Sequence, residues 1–410
     1  VGLLGDVRRG SAKVGEVLTR RRLRREVAAI ARSRPAVVAG TVEVVVYFAD
    51  GAVNLYQVRQ WFEPLRRLDE QHPVVVVTRS PDSARALFDE CPVPVLHFST
   101  IAELERWLGT HPVAAMLYVN QNRENFSTLR FTEPAHVFMS HGESDKSYMV
   151  SNQLKAYDHV LAAGPAAVRR IERNVYGLDP ARILLVGRPQ VDVTYAGPEL
   201  PDDDRTVVLY APTWEGDRPS MEYSSVLSHG PALLEALVAD PRFRVVYRPH
   251  PRTGVQDGRF AAGDARLAGI LARANESDPG AEHLVDRDTA FGWHLRAADV
   301  CVTDVSAVAF DWLATGRPLL LTRPESPTAV VEPGSLADRV DTIAAQDAGG
   351  AVAVVDALLA RGADDAYAEV VADYFGDTRP GAAMSRFLVV ADRVVRDRRA
   401  AQRERHGTRA

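Results

Sequence analysis

From residue 41 onward, short apolar runs rich in β-branched residues alternate with longer stretches of helical spacing, and they do so twice along the chain. The strand-sized runs of the first half fall at 42–48, 73–78, 93–98, 113–119, 136–140, 159–162 and 183–186. Between them lie helix candidates at 55–71, 81–90, 101–108 and 166–176. Runs with so little polar alternation suit strands buried on both faces, as in a parallel sheet. Strand–helix repetition then predicts a doubly wound α/β domain. Residues 196–205, Ala-Gly-Pro-Glu-Leu-Pro-Asp-Asp-Asp-Arg, interrupt the rhythm and read as a linker. Asp202, Asp203 and Asp204 read as a solvated loop rather than a metal site. The pattern restarts with strands at 206–211, 243–248, 283–285, 300–303 and 319–322, and helices at 231–240, 289–298 and 305–315. Helices at 352–361, 366–374 and 382–399 close the chain. Two similar halves of this kind place a ligand between them, where the strand C-termini point.

Composition excludes several classes. The chain of 410 residues is 46% apolar and 25% charged, ordinary globular values. No apolar run reaches the ~18 residues of a membrane span. Cys91 and Cys301 sit in apolar runs and read as buried thiols of a reducing compartment. Charge is uneven: residues 1–35 carry +7 and residues 391–410 carry +4, in a chain of net −5, so the body between them is strongly acidic. That is not the footprint of a nucleic-acid groove. The basic ends suit an anionic membrane surface. In 12–32 an apolar stripe of Val14, Val17, Leu18, Leu23, Val27 and Ile30 opposes Arg20, Arg22, Arg24 and Arg25. This predicts a membrane-surface helix, with a helix packed on its own domain as the alternative.

The sequence lacks GxGxxG after a strand, GxxxxGK[ST], GxSxG and HExxH. Instead, polar clusters follow strands. After the run at 136–140 come His141, Gly142, Glu143, Ser144, Asp145 and Lys146. A neutral imidazole suits proton abstraction near pH 7, Gly142 allows a tight turn, Glu143 or Asp145 could orient the ring, and Lys146 could meet a phosphate. Thr213 and Trp214 end the first strand of the second half, where the threonine could bond a phosphate or a base. Arg248-Pro-His250-Pro follows the next strand; arginine is a bidentate phosphate partner and His250 could donate to a phosphoryl oxygen. Thr303, Asp304, Ser306 and Ala307 lead into a helix carrying Asp311. Asp304 or Ser306 could cap that helix, its N-terminus could seat a diphosphate, and Asp311 could bind a ribose hydroxyl or face solvent.

His-Gly with a following lysine, Pro-Thr-Trp, Arg-Pro-His-Pro and Thr-Asp-Val-Ser-Ala-Val-Ala-Phe-Asp, in that order, resemble the CDP-glycerol glycerophosphotransferase family of teichoic acid primases, polymerases and capsule polymerases. Thr303, Val305 and Ala307 stand where the family has Ser, Tyr and Ser. Asp377 to Arg386 resembles its closing motif, so the resemblance covers about 130–390. It implies a GT-B-like fold, two Rossmann-like domains facing each other across a cleft, with the last helix crossing back. The division expected is a basic segment at 1–35, an acceptor domain at 36–195, a nucleotide-donor domain at 206–380, and a crossing helix with a basic tail at 381–410. By the same resemblance His141 is the catalytic base. His250 and Arg248 hold the donor diphosphate, with Thr213, Thr303, Asp304, Ser306, Ala307 and Asp311 on the donor side and Gly142, Glu143, Asp145 and Lys146 toward acceptor or phosphate. The implied reaction moves glycerol- or ribitol-phosphate from a CDP-activated donor to a lipid-linked or polymer acceptor, releasing CMP, on the cytoplasmic face of the membrane. No cofactor is obligatory; Mg2+ could ride on the diphosphate. Nucleic acid is not expected as a partner, and self-association stays open. A GT-B glycosyltransferase using a nucleotide sugar is the alternative, and a non-catalytic nucleotide-binding scaffold a further one.

Overall fold

A computed structural model describes residues 19, 21–143, 150–289, 291–331, 333–362 and 365–407. Helix α1 (21–33) precedes β1 (Val44–Phe48), α2 (Tyr56–Arg59), α3 (Phe62–Asp69), β2 (Val74–Thr78), α4 (Pro81–Glu90), β3 (Val95–His97), α5 (Ile101–Leu108), β4 (Ala115–Tyr118), β5 (Ala135–Phe138), β6 (His159–Ala162), α6 (Pro165–Asn174) and β7 (Ile183–Leu185). The second lobe holds β8 (Thr206–Ala211), α7 (Gly230–Val238), β9 (Phe243–Tyr247), α8 (Gly258–Ser277), β10 (Leu284–Val285), α9 (His294–Ala297), β11 (Val300–Thr303), α10 (Ala307–Leu313), β12 (Leu319–Thr322) and β13 (Asp341–Ile343). Helices α11 (Ala351–Arg361), α12 (Asp365–Phe375) and α13 (Ala382–Gly407) follow.

Every strand pairing is parallel. The first sheet runs β3-β2-β1-β4-β5-β6-β7 and the second β10-β9-β8-β11-β12-β13. Strand order reverses at β1/β4 and at β8/β11, the crevices where doubly wound sheets bind ligands. Successive residues of β1 serve opposite faces, as the two-residue repeat of a strand requires. Val44, Val46 and Phe48 pack with Leu65, Leu87 and Phe387, while Val45 and Tyr47 pack with Leu104 and Ile171. The fold is thus the predicted two-sheet, GT-B-like α/β architecture.

Helix α13 crosses back onto the first lobe. Met384, Phe387, Val394 and Val395 enter the first lobe's core, and Gln402 Nε2 donates to the carbonyls of Val113 (3.0 Å) and Glu133 (3.1 Å). Helix α12 also returns: a Cβ at Gly164, just before α6, would lie 2.2 Å from the Tyr374 carbonyl oxygen, so only glycine permits this approach.

Several expectations need correction. The stripe of Leu23, Val27 and Ile30 is not offered to a membrane; Val27 is fully buried in the first core with the other two packed beside it. Glu26 of the same helix pairs with Arg85 (2.7 Å). Val14, Val17, Leu18 and Arg20 lie outside the described residues. The helix expected at 55–71 breaks into α2 and α3, because Pro64 has no N–H to give the Gln60 carbonyl. The helix expected at 289–298 shrinks to α9, since Thr289 and Trp293 turn their polar atoms onto Asp286 instead. Strand β13 and the long α8 were not anticipated: Asp341-Thr-Ile has little apolar signal, and Gly263 and Gly269 dilute the helical pattern. Cys301 is buried, but Cys91 is only half-buried.

Burial holds the imidazoles of His97, His136, His159, His229, His283 and His294 below their usual pKa. The unfolded chain takes up protons on these groups below about pH 6.5 while the folded chain stays neutral. Their contribution to stability is therefore present above that pH and lost as pH falls. We expect a lower melting temperature by calorimetry at pH 5.5 than at pH 7.5. A flat profile across that window would mean the folded protein protonates them freely.

Candidate active site at the interlobe seam

Residues that follow strand C-termini of both sheets meet at one seam. From the first lobe, β5 delivers Ser140, His141 and Gly142. Ser140 has φ of 63°, the left-handed region that costs a non-glycine residue ~1–3 kcal/mol. Three bonds hold it there. Trp61 Nε1 donates to the Ser140 carbonyl (2.8 Å), Ser140 Oγ donates to the Gly142 carbonyl (2.9 Å), and the Gly142 amide points back to Ser140 Oγ (3.4 Å). A Cβ on Gly142 would stand 3.1 Å from the Ala307 Cβ at the start of α10, so the loop after β5 abuts the second lobe.

Arg188, just past β7, locks this junction. Its Nη1 and Nη2 each reach the His141 carbonyl at 3.3 Å, Nη2 donates to Gln60 Oε1 (2.7 Å), and Nε donates to Asp311 Oδ1 (2.6 Å). Arg188 is 4% exposed and Asp311 5%, so this is a buried ion pair between lobes. Asp311 therefore faces neither solvent nor an open ribose site; its carboxylate is occupied by a guanidinium. Sequence reasoning missed Arg188, although its position after a strand matches the pattern that singled out Arg248.

The second lobe brings His250. Its Nδ1 accepts the Arg252 amide (3.1 Å), so the neutral ring carries its proton on Nε2 and can donate from there. The His250 ring stacks near Trp214 (centroids 6.3 Å apart), and the Arg252 guanidinium lies 3.8 Å from the Trp214 ring centroid. His250 and His141 both meet one aromatic ring edge-to-face: Tyr56 of α2, at 5.7 Å and 6.2 Å between centroids. The two imidazoles are thus no farther apart than those two distances laid end to end. Tyr56 lies in the helix expected at 55–71, and no motif of the sequence analysis marked it.

Other predicted residues are spent inside the protein. Asp304 is fully buried and accepts from the Thr213 amide (2.7 Å), the Ser225 amide (3.2 Å) and Thr322 Oγ1 (2.6 Å). Burial pushes its carboxyl pKa up, and its role is to brace the ends of β8, β11 and β12 rather than to cap α10. Thr303 Oγ1 donates to the Ala211 carbonyl (2.6 Å). Ser306 is the N-cap residue of α10, but its side chain makes no capping bond; Oγ lies 3.3 Å from Thr303 Oγ1. Thr213 is buried, its carbonyl accepting from Ser224 Oγ (2.8 Å). Arg248 stays on its own lobe, donating to the carbonyls of Asp286 (3.1 Å) and Thr289 (2.7 Å) and pairing with the Asp286 carboxylate (3.1 Å). Glu143 pairs with Arg170 of α6, which corrects its expected role of orienting His141. Asp145 and Lys146 lie outside the described residues. Among the described residues no group of three or more His, Cys, Asp or Glu side chains could hold a metal ion. None of their helices is long and apolar enough to cross a membrane.

Known proteins share this fold. The wall teichoic acid polymerase TagF superposes with a TM-score of 0.58 at 14% identity, covering 98% of this chain and 100% of that one. A glycosyltransferase from Rickettsia africae ESF-5 gives 0.52 at 12% identity, covering 87% and 98%. Anabaena Alr3699/HepE, solved with UDP and glucose, gives 0.51 at 11%, covering 86% and 99%. At such identities these likenesses speak for the fold. No curated protein sequence matches. A family model described as CDP-Glycerol:Poly(glycerophosphate) glycerophosphotransferase matches residues 107–329, over half of the chain and the stretch holding His141, Arg188, His250 and Ser306. This chain belongs to that family, and is a glycerophosphotransferase-like enzyme.

Proposed function

We propose that this enzyme moves a polyol phosphate, glycerol- or ribitol-phosphate, from a CDP-activated donor to a hydroxyl of a lipid-linked or polymer acceptor. The observation that carries this reading is that His141 and His250, from opposite lobes, share the Tyr56 ring. In the reaction, the acceptor oxygen attacks the β-phosphorus and its proton passes to His141. The bond from that phosphorus to the bridging oxygen breaks, and CMP leaves with the oxygen. His250 donates from Nε2 to a phosphoryl oxygen, so the lobes supply base and charge stabilisation from opposite sides. The first lobe takes the acceptor and the second the donor; a magnesium ion, where one is used, arrives on the diphosphate. Arg248 acts from the place where Asp286 holds it. The exposed arginines of α1, Arg21, Arg22, Arg24 and Arg25, then meet anionic lipid at the membrane surface.

The test is incubation with CDP-glycerol, CDP-ribitol, UDP-sugars and GDP-sugars, with and without anionic vesicles carrying a glycerophosphate-primed lipid. The expected result is CMP released from a CDP-polyol and enzyme sedimenting with the vesicles. Release of UDP or GDP instead would replace this reading with glycosyl transfer. Enzyme left in the supernatant would remove the membrane role.

A further inference from the structure

Tyr56 sits where its hydroxyl proton has one direction left. The reasoning starts at Asp50, beyond the end of β1, whose carboxylate can only accept. Asn122 Nδ2 donates to Asp50 Oδ1 (2.6 Å) and Asn120 Nδ2 to Asp50 Oδ2 (2.6 Å). The carboxylate thereby fixes which end of Asn120 is the amide nitrogen. The same Nδ2 also donates to Gln57 Oε1 (2.8 Å), which fixes Gln57 in turn. Gln57 Nε2 must then donate to Tyr56 Oη (3.3 Å). Asn120 and Gln57 are 4% and 8% exposed, so the chain is shielded from water and its polarity is not scrambled. At its end Tyr56 Oη accepts, and its own proton is available to donate at the seam where both imidazoles meet the ring.

We propose that Tyr56 is a further catalytic residue, whose hydroxyl donates a hydrogen bond to a phosphoryl oxygen of the group being transferred, with its donor direction set by Asp50 through Asn120 and Gln57. No proton is transferred in this contact; it stabilises charge on the oxygen as the bond to CMP breaks. The inference rests on the transfer chemistry proposed above. Burial raises the Tyr56 pKa, so the hydroxyl keeps its proton at neutral pH.

Tyr56→Phe keeps the ring on which both imidazoles rest and removes only the hydroxyl. With CDP-glycerol we expect kcat to fall about 10²-fold, with little change in donor KM and only a small fall in melting temperature as Gln57 Nε2 loses its acceptor. A merely structural role of the hydroxyl, as acceptor for Gln57, would give that fall in melting temperature and spare kcat. Asp50→Asn frees the relay to reverse, so it should lower kcat by itself, yet cost nothing more in the Tyr56→Phe background. Losses that multiply in the double variant would overturn the relay. If wild type releases CMP and Tyr56→Phe does so equally, the tyrosine assignment falls and the transferase reading stands. If wild type uses only a UDP- or GDP-sugar, the polyol reading falls; the leaving diphosphate then needs the same contact, and the same loss is expected on that donor. Wild type inert with every donor overturns both.

Discussion

His141→Ala should lower CMP release from a CDP-polyol by about 10²–10⁴-fold, the usual contribution of a positioned general base. The protein should stay folded, because two bonds that hold the main chain of this loop survive the substitution. Trp61 holds the Ser140 carbonyl and Arg188 holds the His141 carbonyl, both main-chain atoms that alanine retains. His250→Ala removes the Nε2 donor, and a loss of about 10²–10³-fold is expected. It also deprives the Arg252 amide of its acceptor, so a small fall in melting temperature should accompany it. Near-normal turnover by His141→Ala would remove the base assignment.

The second large effect is expected at Arg188. Arg188→Met leaves the Asp311 carboxylate buried without its cation, and breaking a buried pair in this way costs about 3–5 kcal/mol. It also releases the His141 carbonyl, so activity should fall beyond what instability explains. The double variant Arg188→Met/Asp311→Leu separates the two effects. Replacing a buried ion pair by apolar side chains is often neutral or stabilising, so denaturant melts should return to wild-type midpoints. Activity should not return, since the His141 carbonyl still lacks its anchor. Full recovery of kcat in the double variant would show that Arg188 serves stability alone.

Much of the fold was legible because its signals are local. Strands at 159–162, 206–211, 300–303 and 319–322, and helices at 81–90 and 101–108, stand at their predicted bounds. Helix α5 shows why: Thr100 and Glu103 form a reciprocal capping box, a motif four residues long. The candidate site was legible as a set of strand ends, and His141 and His250 were found that way. What their neighbours do was not. Asp304 looked like a cap and is a buried brace, because its partners Thr213 and Thr322 come from other strands' ends and Ser225 from the loop before α7. Asp311 looked like a ribose ligand or a solvated acid for the same reason.

By itself, then, the order of residues determined the two-sheet architecture, the family and which side chains stand at strand C-termini, since periodicity and short motifs act within a few residues. Only the tertiary structure decided which of those side chains face one another. Arg188 and Asp311 are 123 positions apart, and His250 reaches Tyr56 from the other lobe. A guanidinium buried beside a carboxylate, or one tyrosine touching two imidazoles, exists only once the lobes pack. The energy of each contact depends on water being excluded from it, and that exclusion is a property of the closed seam rather than of any segment of the chain.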